Sequence, residues 1–546
     1  MTILIIGLFV VAALASIPIA HALVLASVGG LLIIDRVPVH LAVEQMITQT
    51  QSFPLIAIPF FMMTGALMVS GRLGQSLVNL LSMMIGRVHG GPAQVGVLSS
   101  TIFGGVSGSA VADASAIGSM LIPWLKRLGY PAPFAAGTLA AAATIDILIP
   151  PSIPMIVYAL VSGASIGALF VAGILPGLLM CGGFMAVCYV QGRRRGFPRD
   201  TTPFAWPAFR QQLLHAGPAL AMPVLIVIFL RFGIATPTEV SVMSTLYALV
   251  VSGLVYRDLT VAKLKAAAVE AGISTGVVLL IIMASSVVGW IVTYEQLPAA
   301  FTQYAKETLQ SPWLIILAMN LIMLATGMFI DLPAAVLLLT PMFVPLASAV
   351  GMDTVQLGIM MIVNLSIGLY HPPIGTTLFI TSSIAKVRIG DVVKELIPFY
   401  VVALALLLGF AYLPWLTLHC PLQPETFHEQ PPTHCPGRVA DPPPCRPHGR
   451  SPGAGLRRPG PGLCRRAGHG LCARPRLPAR RPRVGRARPL PALARPLRHR
   501  PLRRADRGRD HCRVRAGDLR QRRQPPAHVG HGQLHAGHGD VGRLAR

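Results

Sequence analysis

Apolar runs long enough to enter a bilayer recur along the first 418 residues. They lie near 2–34, 53–71, 94–122, 134–149, 153–190, 213–232, 237–255, 272–294, 312–330, 332–350, 354–385 and 396–418. Runs of that length and polarity predict membrane helices. The 153–190 and 354–385 runs are long and interrupted, so each predicts more than one helix or half-helix. The whole pattern predicts about ten to twelve membrane elements, some of them re-entrant. The first run has no charge before Asp35 and no basic n-region. It reads as a first membrane helix kinked at Pro18 rather than a signal peptide. HLAVEQMITQTQSFP reads as a polar link, and LGQSLVNLLSMMIG, between Arg72 and Arg87, as an amphipathic helix along the interface. RRRGFPRD (Arg193 to Asp200) is the strongest basic cluster of this body, and the positive-inside rule assigns it to the cytoplasm.

One stretch departs from plain spanning helices. Phe103 to Pro154 opens with FGGVSGSAVADASAIGSMLIP and ends in TIDILIPPSIP. It is mostly apolar, yet it holds Gly104, Gly105, Gly108, Asp113, Asp146 and the pair Pro150-Pro151. Glycine and proline free backbone groups that lipid cannot satisfy. Such backbone survives at membrane depth only where protein or a wet cavity covers it, the usual setting of an ion or substrate site.

The pattern then repeats. Pro123, Pro150, Pro151, Pro176 and Gly105 recur as Pro345, Pro372, Pro373, Pro398 and Gly327, all at one offset of 222 residues. Two related halves, 1–210 and 211–418, each with a Gly-rich hairpin and a Pro-Pro break, are the mark of a secondary transporter. The fold expected is an all-α polytopic membrane protein.

Composition changes this picture only at the C-terminus. The chain has 546 residues and a net charge of +25, which alone would suggest nucleic acid or an anionic surface. Residues 1–419 carry only +4, and residues 420–546 carry +21 through 28 Arg and no Lys. The tail has no Ile, Met, Asn, Tyr or Trp and a single Phe, Phe427. Its Arg, Pro, Gly and Ala are what GC-rich DNA yields in a shifted frame, so 419–546 reads as a frameshifted end. A disordered Arg-rich segment is the alternative. His419-Cys420 and His434-Cys435 have a zinc-like spacing, but in a Pro-rich run without periodicity to fold around a metal. Cys181 and Cys188 read as packing residues of one apolar helix.

Candidate chemistry sits at the breaks. Ser107, Ser109 and the freed carbonyls around Gly104, Gly105 and Gly108 offer hard oxygen donors. Thr376, Thr377, Gly375 and the carbonyls near Pro372-Pro373 offer a matching set, and uncharged oxygens at broken helices suit sodium. Small residues that merely let helices pack closely are the competing explanation. Asp113, Asp146 and Asp331 are intramembrane carboxylates, each of which needs a partner or water. Asp331 is the candidate for ion or gating work, and Asp113 is also placed to cap a helix. His371 is a candidate for proton coupling or a hydrogen-bonding wall, and Asn364 has the same two readings. The body has no GxxxxGK[ST] phosphate loop, hydrolytic triad or metal-ligand cluster, which argues against ATP drive and catalysis within this chain.

These motifs resemble a family. SFPLIAIPFFMMTGALM (Ser52 to Met68), FGGVSGSAVADASAIGSMLIP, the run Ile149 to Leu179 and NLSIGLYHPPIGTTLF (Asn364 to Phe379) are similar to the large membrane subunit of TRAP transporters, the tripartite ATP-independent periplasmic systems. The resemblance covers about residues 1–418. It implies a bacterial inner-membrane permease that imports organic anions, commonly carboxylates and sugar acids, with sodium as coupling ion and no other cofactor. It further implies a periplasmic solute-binding protein and a small membrane subunit as partners, and an elevator-type mechanism. The family's two hairpins and two broken helices fall on Phe103–Ser109, Thr144–Pro154, Thr326–Pro333 and Gly368–Thr377. That brings Pro150, Pro151, Ser152, Gly327, Asp331, Gly368, His371, Pro372 and Pro373 into the candidate set. With no four-helix segment ahead of Met1, the chain is expected to be the separate large subunit rather than a fused form.

The sequence departs from the family pattern at Asp146. A Gly-Pro usually precedes the first Ile-Ile-Pro-Pro, and here the run is IDILIPP. A stand-alone carboxylate or ion carrier of similar architecture is the nearest rival. Nucleic-acid or anionic-partner binding through the tail is a remote one, since the tail lacks aromatic residues for stacking.

Overall fold

In a computed structural model, residues 2–15, 17–34, 38, 40–69, 72–199 and 205–418 are described, and they form helices and their connections, with no strand among them. The Arg-rich tail, 419–546, and its zinc-like pairs lie outside the described residues.

The N-terminal run is two helices, α1 (Thr2–Leu14) and α2 (Ile19–Ile34), not one kinked span. They fold back on each other: a Cβ on Gly29 would meet Leu8 and one on Gly30 would meet Ile5. Pro18 has no N–H for the helical ladder, so the chain breaks there. The polar link forms α3 (His40–Thr50), which meets α4 (Ala57–Val69) at a 63° bend through a short 3-10 turn. α5 (Arg72–Ile85) follows as the amphipathic helix, with Leu77, Val78, Leu80 and Leu81 buried and Gln75 and Asn79 exposed.

Next come α6 (Gly91–Ser107), α7 (Ala110–Arg127), α8 (Ala132–Ala142), α9 (Ile153–Ser162) and α10 (Ile166–Arg195). α11 (Trp206–Arg231), α12 (Pro237–Val250), α13 (Val261–Tyr294) and α14 (Leu297–Leu309) lead to the second set. That set is α15 (Pro312–Gly327), α16 (Leu332–Ala349), α17 (Thr354–Leu369), α18 (Thr376–Ala385) and α19 (Ile389–Tyr412), with a last turn α20 (Trp415–Leu418). The helix boundaries follow the 222-residue offset of the prolines: shifted by it, α7 becomes 332–349, the bounds of α16. α14 is an element the apolar runs did not predict. Its Tyr304, Lys306 and Glu307 leave no uninterrupted apolar stretch to read.

Among the described residues six helices are long and apolar enough to cross a membrane, or seven if the bent α3–α4 pair is one span. That is fewer than the apolar runs suggested, because glycine and proline cut several runs into shorter pieces. Leu317, Leu321, Ile397 and Val401 leave apolar faces exposed, as a lipid-facing surface requires.

The two sets interlock. α9 packs on α16 and α17, while α18 packs on α7 and α8. Each helix that follows a Pro-Pro break therefore rests on the hairpin of the other set. Local chemistry holds these joints. The Tyr158 hydroxyl of α9 donates to the Thr354 carbonyl at 2.7 Å, and the Thr377 hydroxyl of α18 lies 3.2 Å from the Ala140 carbonyl.

Candidate ion and substrate site

The first hairpin closes in two residues. α6 stops at Ser107, Gly108 takes the left-handed conformation at φ +61°, and extended Ser109 starts α7. A side chain at Gly108 would be strained there and would strike the Pro151 carbonyl, so this turn and the first break touch. The Ser107 hydroxyl donates to Asp146 Oδ2 at 2.9 Å, and the backbone N–H groups of Gly108 and Ser109 also face that carboxylate. Gly104 makes room for it: a Cβ there would sit 2.6 Å from Asp146 Cα. Asp113, one turn into α7, is fully buried and does not cap the helix. Both its oxygens lack a hydrogen-bond partner of normal geometry, although the Ser100 hydroxyl lies beside them.

The second hairpin is built differently. α15 ends at Gly327, and Asp331, half-buried, is the residue before α16 without a side-chain capping bond. Gly327 lies against Gly368 at the end of α17. Gly375 sits under the second break, where a Cβ would be 2.7 Å from the His371 carbonyl oxygen and 2.8 Å from that of Leu369. The Thr376 hydroxyl has no partner, whereas Thr377 donates to the Leu369 carbonyl at 2.9 Å. Both Pro-Pro bonds, Pro150-Pro151 and Pro372-Pro373, are cis. The first pair is buried, and Pro373 of the second is exposed.

The structure thus brings Gly104, Ser107, Gly108, Ser109, Pro150 and Pro151 into one cluster around Asp146. It brings Gly327, Gly368, Gly375, Thr376 and Thr377 into another around the second break. Other candidates serve the scaffold. Gly105 packs on Pro223 of α11. The Ser152 hydroxyl donates to the Ile147 carbonyl at 2.6 Å and receives the Met155 N–H as the N-cap of α9. His371 Nδ1 lies 2.5 Å from the carbonyl oxygen of Pro372, and the ring stands 5.1 Å from that of Tyr400.

Sequence reasoning missed two features. Asn364 donates to both the backbone and side-chain oxygens of Asn320 at 2.9 Å, in a buried pair on α17 and α15. Their separation of 44 residues fits no local period, so no pattern could pair them. A cleft between α4, α7 and α13, lined by Gly65, Ser107, Glu270 and Ser274, also leads from the surface to the first hairpin. Among the described residues no group of three His, Cys, Asp or Glu could hold a metal ion.

Residues 5–416 match the family described as Tripartite ATP-independent periplasmic transporter, DctM component. The chain belongs to this family. Its members are permease subunits of transporters rather than enzymes. An uncharacterized protein of Sinorhizobium fredii is 50% identical over 419 residues, 77% of this chain and all of that protein. The 2,3-diketo-L-gulonate TRAP transporter large permease protein of Escherichia coli is 36% identical, over 73% of this chain and 94% of its own length. The sialic acid TRAP transporter large permease protein of Vibrio cholerae is 35% identical, over 76% and 96%. The solved YdaH transporter of Alcanivorax borkumensis shares the fold at a TM-score of 0.51 and 16% identity, over 69% of this chain and 89% of that one.

Proposed function

We propose that this DctM-family chain is the large permease subunit of a bacterial inner-membrane TRAP system, importing an organic anion by sodium symport. The supporting observation is the junction of the first hairpin with the first break, where Ser107, Asp146 and the Gly108 turn converge. Backbone freed by glycine and proline, next to hydroxyl and carboxylate oxygens, is donor chemistry for a small hard cation. Thr376, with its unpartnered hydroxyl under the second break, supplies a second position of the same kind. Cations at both breaks would give an incoming carboxylate the positive charge that the surrounding helices lack.

The relatives named for 2,3-diketo-L-gulonate and sialic acid favour a sugar acid or related carboxylate as substrate. A periplasmic binding protein would deliver it, and a small membrane subunit would brace the permease. The interlocked α6–α10 and α15–α19 sets would travel together, elevator-fashion, against α4, α11 and α13.

Uptake in proteoliposomes tests this reading. The full chain is reconstituted with its small subunit, the binding protein is added, and a sodium gradient is switched on or off. Uptake should require both sodium and the binding protein. Uptake without the binding protein would favour a stand-alone carrier, and uptake following a pH gradient alone would remove sodium as the coupling ion.

A further inference from the structure

The connection between α5 and α6 is clamped to the end of α10, backbone against backbone. A Cβ on Gly192 would lie 2.6 Å from the Gly90 α-carbon, and one on Gly90 would lie 2.8 Å from the Cys188 carbonyl carbon. Gly90 turns the chain at φ +66°, and the Gln94 side chain donates to the His89 carbonyl at 2.8 Å. The His89 ring is thereby set edge-on to the Tyr189 ring, with 5.7 Å between centres. Tyr189 and Arg193 are four residues apart on α10 and share one face of it. Beyond α10 the chain doubles back. Gly196 is left-handed at φ +65°, and buried Phe197 packs on Tyr130 and Phe134 with ring centres 4.9 and 5.0 Å away. The Pro198 carbonyl accepts the Tyr130 hydroxyl at 3.1 Å. That return brings the Arg199 guanidinium onto Nε2 of His89.

This joint gathers positive charge. RRRGFPRD carries four arginines against one acid, Asp200, and Arg195 is already engaged by Glu395. No ion pair among the described residues engages Arg193 or Arg199. Desolvation, then Arg199 and Arg193, hold His89 below the ordinary imidazole range, so the ring is neutral near pH 7 and accepts from Arg199. The joint also has an apolar side. Val88 precedes His89, while Tyr189 and Val190 precede Arg193 by about one turn. They are 40%, 37% and 42% exposed. α10 is long and apolar enough to cross a membrane, so its arginine end marks the level where hydrocarbon gives way to headgroups. Exposed apolar side chains and a tyrosine, set below guanidinium groups, match a phospholipid: acyl chain against the former, phosphate against the latter. A soluble anion would use only the guanidinium groups.

We propose that Arg193 and Arg199, positioned around His89 and Tyr189, bind the phosphate of an anionic glycerophospholipid of the cytoplasmic leaflet, such as phosphatidylglycerol, with its acyl chain on Val88 and Val190. Each guanidinium presents a planar pair of donors to phosphate oxygens, and its charge does not titrate. A zwitterionic headgroup is disfavoured, because its ammonium adds to charge already in excess. The bound lipid staples the α5–α6 connection to the end of α10. The proposal rests on the inner-membrane reading and on the cytoplasmic assignment of RRRGFPRD, and it is independent of sodium coupling.

The test uses the purified full chain in phosphatidylcholine nanodiscs that hold a small fraction of phosphatidylglycerol with a diazirine in its headgroup. After illumination, peptide mass reads where the lipid attaches. Labelling should fall on segments 84–94 and 187–199. Tail peptides are counted apart, because their arginines attract any anion. Unlabelled phosphatidylglycerol should compete the labelling away, and added phosphatidylcholine should not. Arg193→Gln combined with Arg199→Gln should cut labelling of these segments by about tenfold, as loss of two charges near an anionic lipid predicts. Lys265→Gln, which removes an exposed charge from α13, should leave it unchanged. Equal competition by the two lipids overturns the proposal, as does undiminished labelling in the double variant. Suppression by inorganic phosphate at the concentration where phosphatidylglycerol acts assigns a free anion instead and overturns it. Loss of labelling when the small subunit is reconstituted alongside assigns the surface to protein and overturns it too. Should the double variant not stay monodisperse, the competition on wild type decides. Labelling should be the same with and without sodium, so a failure here and a failure of sodium-driven uptake are read separately.

Discussion

Gly368 meets the backbone of Gly327 so closely that a Cβ built on it would lie 2.9 Å from the Gly327 α-carbon, with the Gly327 carbonyl nearer still. The contact joins the end of α17 to the end of α15, the helix entering the second hairpin. Because the obstacle is backbone, no rotamer change can relieve it. Gly368→Ala should destabilise the protein by about 1–3 kcal/mol, the usual range for overpacking a close-packed interior. Reversible unfolding in mixed micelles measures this, and uptake should fall with it. A Gly368→Ala protein as stable as wild type would mean the two helices do not meet there.

Ser107 and Ser152 make hydroxyl bonds of similar length to different ends. Ser107→Ala leaves Asp146 Oδ2 without its side-chain donor, and should cost about 1–3 kcal/mol as a buried polar group loses its partner. Ser152→Ala removes the N-cap of α9 and the bond to the Ile147 carbonyl, and should cost about 0.5–2 kcal/mol. The sodium dependence of uptake separates them. It should shift in Ser107→Ala and stay in place in Ser152→Ala.

Asn364→Ala should destabilise by about 1–3 kcal/mol, because the Asn320 side-chain oxygen loses its donor in a buried setting. The double variant with Asn320→Ala should cost less than the sum of the two single ones, since each single change strands the other partner. Unfolding measured on all four proteins checks this, and strict additivity would rule out the pairing.

Arg195 closes α10 onto α19 through Glu395 at 2.8 Å, with its guanidinium 6.0 Å from the Phe134 ring centre and 5.9 Å from that of Phe197. The pair is partly exposed, 40% for Arg195 and 18% for Glu395, so solvent screens it. Arg195→Ala should cost no more than about 1 kcal/mol, and less in high salt. Arg195→Lys should recover only part of that, because an ammonium lacks the planar stack on the two rings. Melting temperatures at two salt concentrations test both statements.

A chain ending at Leu418 should fold and transport like the full-length one, because the family match closes at residue 416 and the last turn, α20, at Leu418. Size-exclusion behaviour and uptake of the two forms compare them directly. Loss of either on truncation would assign a role to residues 419–546.

The turns and breaks of this protein are encoded locally. Gly108 and the Pro-Pro pairs constrain their own backbone, so the hairpin turn and the breaks are legible wherever they stand. The apolar runs reveal the helical class for the same reason, and the 222-residue offset reveals the paired elements because it compares like positions of the two sets directly along the chain. Some local features still differ from their pattern: Pro18 separates two helices rather than bending one, and α14 forms without a continuous apolar run.

The partnerships between segments are encoded only in three dimensions. Asp146 is visible in the sequence as a departure, but its bond to Ser107, 39 residues away, exists only once α6 and α7 fold over the first break. The Asn320–Asn364 pair and the packing of α9 on α16 and α18 on α7 depend on chain segments that no periodicity relates. Ser152 carries the same hydroxyl signal as Ser107, yet one caps a helix and the other faces a buried carboxylate. A side chain's type fixes which bonds it can form, but the partners that reach it in space fix which bond it makes.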